Sequence, residues 1–156
     1  MPTLIPNKSV LLIALLLWYG AGFLGAQYTT ETVQSEWYQA IKPILTPPSS
    51  VFPIVWSILY ALIAISFWFA WNPASSSQRA KLLTWFGINL IANATWTFFY
   101  FSLRSPLAGL IDIILIDISG LMMIHYTSQL SKPAQYLLYP YAVWLAFATL
   151  LNVLSL

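Results

Sequence analysis

The stretch Val51-Phe-Pro-Ile-Val-Trp-Ser-Ile-Leu-Tyr-Ala-Leu-Ile-Ala-Ile-Ser-Phe-Trp-Phe-Ala-Trp71 carries no charged side chain, and it sits in a neutral run from Pro43 to Gln78. A helix crosses the hydrocarbon core of a bilayer in roughly 20 apolar residues, so this stretch reads as a membrane span at 51–71. Working outward, the runs Ser9 to Thr30, Leu82 to Leu103 and Pro133 to Leu156 also lack Asp, Glu, Lys and Arg. They place further spans at 9–26, 82–101 and 134–154. A fifth, at 106–127, is apolar although it holds Asp112 and Asp117; Ser105 suits its N-cap and Pro106 its first helical position. The runs are continuously apolar, without the in-out alternation of barrel strands. The expectation is an all-α membrane protein, a five-transmembrane-helix bundle forming one domain over 1–156.

Composition agrees. Of 156 residues, 60% are hydrophobic and only 6% charged, whereas a soluble domain carries about a quarter charged. A soluble globule and a disordered chain are both excluded. The net charge of +2 comes from six scattered basic residues, which offers no patch for nucleic acid. The absence of cysteine excludes a disulfide framework, a thiolate nucleophile and a cysteine zinc site.

Between the first two spans lies a stretch at 27–50 that is far longer than a turn requires. It contains Trp37, Tyr38, Lys42, Pro43, Pro47 and Pro48, a composition that suits an ordered lid over one end of the bundle. The other links are short, with Asn72 to Ser77 closing the second span and Ser131-Lys132-Pro133 separating the last two. Lys8 followed by Val10 to Leu17 has the form of a secretory signal start, but the apolar run extends past a normal signal core. Lys8, Arg79, Lys81 and Lys132 fall on one side, Lys42 and Arg104 on the other. The excess of basic residues predicts a cytoplasmic N-terminus, and the compact ends fit a bacterial inner membrane.

Three aromatic and polar stripes stand out. Trp56, Tyr60, Ile63, Phe67 and Trp71 recur at helical spacing on the second span, Asn89, Asn93, Trp96 and Tyr100 on the third, and Trp144, Ala148, Leu151 and Asn152 on the fifth. Ordinary packing accounts for such stripes, and Trp18, Trp68, Trp71 and Trp85 read as interfacial anchors. Trp56, Trp96 and Trp144 share their faces with polar or small residues, so those faces could instead meet around a flat, largely apolar ligand. Asp112 and Asp117 are candidates for function because a buried intramembrane charge is costly. Five residues apart, they point roughly 140° from each other, which argues against an acid/base dyad; each could equally be hydrogen-bonded to a neighbouring helix. His125 alone gives no metal site. Ala21, Gly22, Gly25 and Ala26 permit close helix approach, within one bundle or in a homodimer.

The loop Trp37-Tyr-Gln-Ala-Ile-Lys42-Pro43-Ile-Leu-Thr-Pro47-Pro48, the following Val55-Trp56-Ser-Ile-Leu59-Tyr60, the third-span Asn93-Ala-Thr-Trp96-Thr-Phe98-Phe99, and the final Leu138-Tyr-Pro140-Tyr141-Ala-Val-Trp144-Leu-Ala-Phe147-Ala148-Thr149-Leu-Leu-Asn152 together resemble the translocator protein family, also called tryptophan-rich sensory protein or peripheral benzodiazepine receptor. The resemblance runs in order from the first span to the C-terminus. It implies a five-helix bundle whose first loop covers a ligand cavity, often in a homodimer. It also implies binding of tetrapyrroles such as protoporphyrin IX and haem, as ligands rather than obligatory cofactors, and of benzodiazepine-type drugs. Carried over by position, the cavity residues are Trp56, Tyr60, Asn93, Trp96, Asp112, Trp144, Ala148 and Leu151, with Trp37, Tyr38 and Pro47 in the lid. The family's loop usually has a Trp where this chain has Leu45. The sterol-recognition segment of animal members has no counterpart in Val153 to Leu156. Two other activities stay open: light- and oxygen-dependent porphyrin breakdown, which would make Trp56 and Trp144 catalytic, and transport, for which Asp117 is the one proton-coupling candidate.

Overall fold

A computed structural model describes residues 7–156, so residues 1–6 of the expected domain lie outside it. Among the described residues there are helices and no strands. In chain order they are α1 (Lys8–Thr29), a 3-10 turn (Thr32–Gln34), α2 (Glu36–Ile41), α3 (Val51–Trp71), α4 (Ser76–Thr97) running into a π turn (Phe98–Ser102), α5 (Pro106–Ser128), α6 (Lys132–Leu137) and α7 (Tyr139–Leu154).

Their starts are set by polar side chains that take up the free N–H groups of a first turn. Asn7 caps α1, and Ser35, Ser105 and Ser131 cap α2, α5 and α6. Ser75 and Gln78 form a reciprocal capping box on α4, with Ser75 N donating to Gln78 Oε1 at 2.9 Å and Gln78 N to Ser75 Oγ at 3.4 Å. That box starts α4 at Ser76 rather than at the expected 82. Arg79 and Lys81 therefore sit in its first two turns, and Arg79 folds back over the Trp71 ring at 4.8 Å. The last span also differs from expectation. It begins at Lys132 and breaks at Leu138, because Pro140 has no N–H to continue the ladder.

Four helical stretches are long and apolar enough to cross a membrane: Lys8–Gln34, Val51–Trp71, Pro106–Ser128 and Lys132–Leu154. The polar opening of α4 (Ser76, Ser77, Gln78, Arg79 and Lys81) sets it apart from these four. In the bundle α4 packs on α5, α1 lies against α3 and α4, α7 lies on α5, and α6 lies on α3. Ser66 secures that last contact by donating to the Ala134 carbonyl at 2.7 Å.

Large apolar side chains point outward, among them Leu16, Phe23, Ile91, Ile111, Leu121 and Val143, while Ser66, Asn89, Ser119, Thr127 and Asn152 are buried. An apolar exterior around a polar-containing interior is the arrangement of a protein solvated by lipid. One expectation fails here. Trp18 is no interfacial anchor; at 3% exposure it packs within the core, its ring 5.8 Å from Tyr60.

Candidate ligand cavity

The core of the site is a buried polar knot. Asn89 Nδ2 donates to the Ile116 carbonyl (2.9 Å) and to Ser119 Oγ (2.8 Å), fixing α4 to α5. The Tyr141 hydroxyl on α7 donates to Asn89 Oδ1 at 2.7 Å and accepts from Asn93 Nδ2 at 2.8 Å. Asn93 Nδ2 is thereby committed, and the Asn93 side-chain oxygen is the amide atom left to face open space. A second tie joins the same helices: Trp96 Nε1 donates to Asn152 Oδ1 at 3.2 Å, and Asn152 Nδ2 donates to the Pro106 carbonyl at 2.8 Å.

Above the Asn89–Tyr141 knot is a cavity of about 980 Å³ enclosed by α1, α3, α4, α5, α7 and the connection between α1 and α3. Its size is at the upper end for small-molecule sites, roughly 300–1,000 Å³. The floor is aromatic. Trp56 lies 5.4 Å from Tyr60 and meets Trp144 edge-on at 6.5 Å and 90°. Trp96 stacks on Tyr100 at 4.9 Å. Ile113 and Ile116 are the contribution of α5. Helix α1 leaves room because Gly22 has no side chain, and a Cβ there would lie 2.5 Å from the Tyr60 ring. Beside it the Tyr19 hydroxyl bridges α1 to α3 by donating to the Ser57 carbonyl at 2.7 Å.

The roof is held by an aromatic cluster of which Tyr38, Tyr100 and Phe101 line the cavity and Trp37 lies behind them. The π turn swings Tyr100 and Phe101 into buried positions, where Trp37 meets Tyr100 at 6.1 Å and Tyr38 meets Phe101 at 5.4 Å. Burial, with the neighbouring Tyr100 adding to it, pushes the Tyr38 hydroxyl up to about 12, so it stays protonated at neutral pH.

The structure thus brings Trp56, Tyr60, Asn93, Trp96, Trp144, Ala148 and Leu151 together around one space, with Tyr38 and Pro47 in its roof. Two expected members are elsewhere. Asp112 does not line the cavity: each helical residue turns by about 100°, and with Ile113 and Ile116 facing inward, Asp112 faces α4 beside Thr95, 8% exposed. Trp37 also lies outside the lining and acts as the clamp described above. Asp117 accepts from Thr149 at 2.8 Å, joining α5 to α7 away from the cavity. The small residues of α1 are used inside the protomer, Gly22 against Tyr60 and Gly25 against Thr97. Among the described residues no group of three or more His, Cys, Asp and Glu side chains could hold a metal.

Sequence reasoning missed the polar lip formed by Gln34, Gln39, Lys42 and Thr46, and the part played by Phe52. Among the described residues four buried side-chain atoms have no hydrogen-bond partner: Thr46 Oγ1, Thr97 Oγ1, Trp144 Nε1 and Asp112 Oδ2. The first three belong to cavity-lining residues. Leaving such an atom unsatisfied costs about 1–3 kcal/mol.

Residues 12–154 match the TspO/MBR family. The chain is 38% identical over 150 residues to the tryptophan-rich protein TspO of Archaeoglobus fulgidus, covering 94% of each chain. It is 33% identical over 134 residues to the translocator protein of Bos taurus, covering 84% of this chain and 79% of the bovine one. To the tryptophan-rich sensory protein of Cereibacter sphaeroides it is 29% identical over 131 residues, covering 82% and 81%. With its match running almost end to end, this chain belongs to the TspO/MBR family.

Proposed function

We propose that the protein binds tetrapyrroles such as protoporphyrin IX or haem in the tryptophan-lined cavity, as a sensory or translocator-like membrane protein. The observation that carries this reading is the placing of Trp56 and Trp144 edge-to-face around a volume of about 980 Å³. Flat π-systems gain from stacking and edge contacts with indoles. Asn93 offers an acceptor to the same space. Benzodiazepine-type drugs carry aromatic rings that use these surfaces too.

In the same reading α4 crosses the membrane as a fifth span, with its charged first turns at the surface. The connection over residues 30–50 is a lid held by Trp37 and Tyr38. The N-terminus is cytoplasmic, in a bacterial inner membrane, and two copies form a homodimer. Titration of the purified protein with protoporphyrin IX is expected to quench its tryptophan fluorescence saturably. The double variant Trp56→Ala, Trp144→Ala is expected to weaken binding by at least tenfold, about 1.4 kcal/mol; unchanged affinity would remove the site. A second reading, breakdown of bound porphyrin, draws on the same two indoles. It requires porphyrin absorbance to fall under light faster than with denatured protein.

A further inference from the structure

The cavity is electrically one-sided. Its lining includes a single charged residue, Lys42. The protein has four carboxylates, Glu31, Glu36, Asp112 and Asp117, and none of them lines it. Among the described residues the Lys42 ammonium makes no hydrogen bond or ion pair. Polarity is also graded along the space. Gln39, Lys42 and Thr46 are at the roof, whereas the floor is mostly aromatic and aliphatic, with Trp56, Tyr60 and Ile116 and the neutral amide of Asn93. The Thr46 hydroxyl, four residues from Lys42, is buried without a partner.

A ligand matching that gradient has a flat apolar body and an acidic edge. We propose that Lys42 recognises a carboxylate on the ligand edge nearest the roof, so that the cavity selects anionic amphiphiles over neutral molecules of the same shape. This rests on the cavity being the ligand site. It goes further by assigning a charge requirement to one residue. Ligand entering under the roof displaces water around the ammonium, and a carboxylate replaces that hydration with a charge-assisted hydrogen bond. Lys42 is exposed at the mouth, so the pair remains partly screened. An ion pair of this kind is worth up to ~1 kcal/mol, which corresponds to about fivefold in affinity.

Lys42 suits a substitution test. Its fold contact is through the backbone, Lys42 N donating to the Tyr38 carbonyl at 2.8 Å, and side-chain replacement leaves that bond in place. Binding of protoporphyrin IX and of its dimethyl ester is measured at pH 8 for the native protein, Lys42→Gln and Lys42→Arg. The expected result is that Lys42→Gln weakens the acid about fivefold and leaves the ester unchanged, while Lys42→Arg keeps the preference. An acid-to-ester ratio that is the same in native protein and Lys42→Gln overturns the inference. The pair 1-pyrenebutyrate and its methyl ester is titrated in parallel. If neither porphyrin binds, the tetrapyrrole reading fails and the Lys42 inference is decided by the pyrene pair. A Lys42-dependent ratio there supports it, and an unchanged ratio, or no binding by the pyrene acid, overturns it.

Discussion

At Gly22 the absence of one carbon shapes the cavity. A Cβ at that position would meet Tyr60 Cε2 at 2.5 Å and Cδ2 at 3.2 Å, and the Tyr60 ring, buried against Trp18 and Trp56, is hemmed in on both sides. Gly22→Ala therefore drives the ring toward the cavity or α1 away from α3. Overpacking costs typically 1–3 kcal/mol, against a gain of about 1 kcal/mol from replacing glycine within a helix. The expected outcome is a protein that still folds, with near-native helical circular dichroism, but binds the ligand several-fold more weakly by tryptophan quenching. Binding at native strength would show that the contact is absorbed elsewhere. At this scale the sequence was partly legible. Spacing grouped Trp56 with Tyr60 and Trp144 with Ala148, because helical periodicity is a local property. It could not tell Asp112 from Ile113 as the inward residue, since helix rotation is decided by packing against α4. Nor could it bury Trp18, whose environment depends on Tyr60 from another helix.

Among the elements, the π turn at Phe98–Ser102 has the largest effect for its length. Leu103 N donates to the Phe98 carbonyl at 3.0 Å, five residues back, so one extra residue is accommodated in the helix. Such bulges turn the following side chains by about a helical step. Here they carry Tyr100 and Phe101 under Trp37 and Tyr38. Deleting Phe99 removes the extra residue, lets α4 continue as a regular helix and takes Tyr100 and Phe101 out of the bulged positions in which they meet Trp37 and Tyr38. The connection over residues 30–50 then loses its clamp and is expected to be cut by proteinase K several-fold faster than in the native protein. Equal cleavage rates would mean that the clamp is not what holds it. Hydropathy located the apolar helices and most of their ends, 51–71 and 106–127 to within a residue, but misplaced the start of α4. The start of α4 is written in Ser75 and Gln78, a short-range signal that the neutral-run criterion passes over. Nothing in the local composition announces the π turn, whose aromatic partners Trp37 and Tyr38 come from another element.

For the molecule as a whole, the number of crossings decides which loops share a side. If α4 spans the bilayer, the α3–α4 link and the α4–α5 link face opposite compartments; if it does not, they face the same one. The native chain has no cysteine, and Pro73 and Leu103 are exposed in those links. Pro73→Cys and Leu103→Cys are expected to react with a membrane-impermeant maleimide from opposite sides of oriented vesicles. Labelling from one side only would contradict five spans.

The packing pattern has a mechanical consequence. Helix α3 is fastened to α1 and α6 and meets α5 and α7 only sparingly, while α4, α5 and α7 are tied together through Asn89, Ser119 and Tyr141. The break at Leu138 lets the two halves of the last span belong to different partners, α6 to α3 and α7 to α5. Helix α1, packed on both α3 and α4, joins the two groups. Under the proposed reading a ligand seated between them touches both, so that binding stabilises the fold as well as filling the cavity.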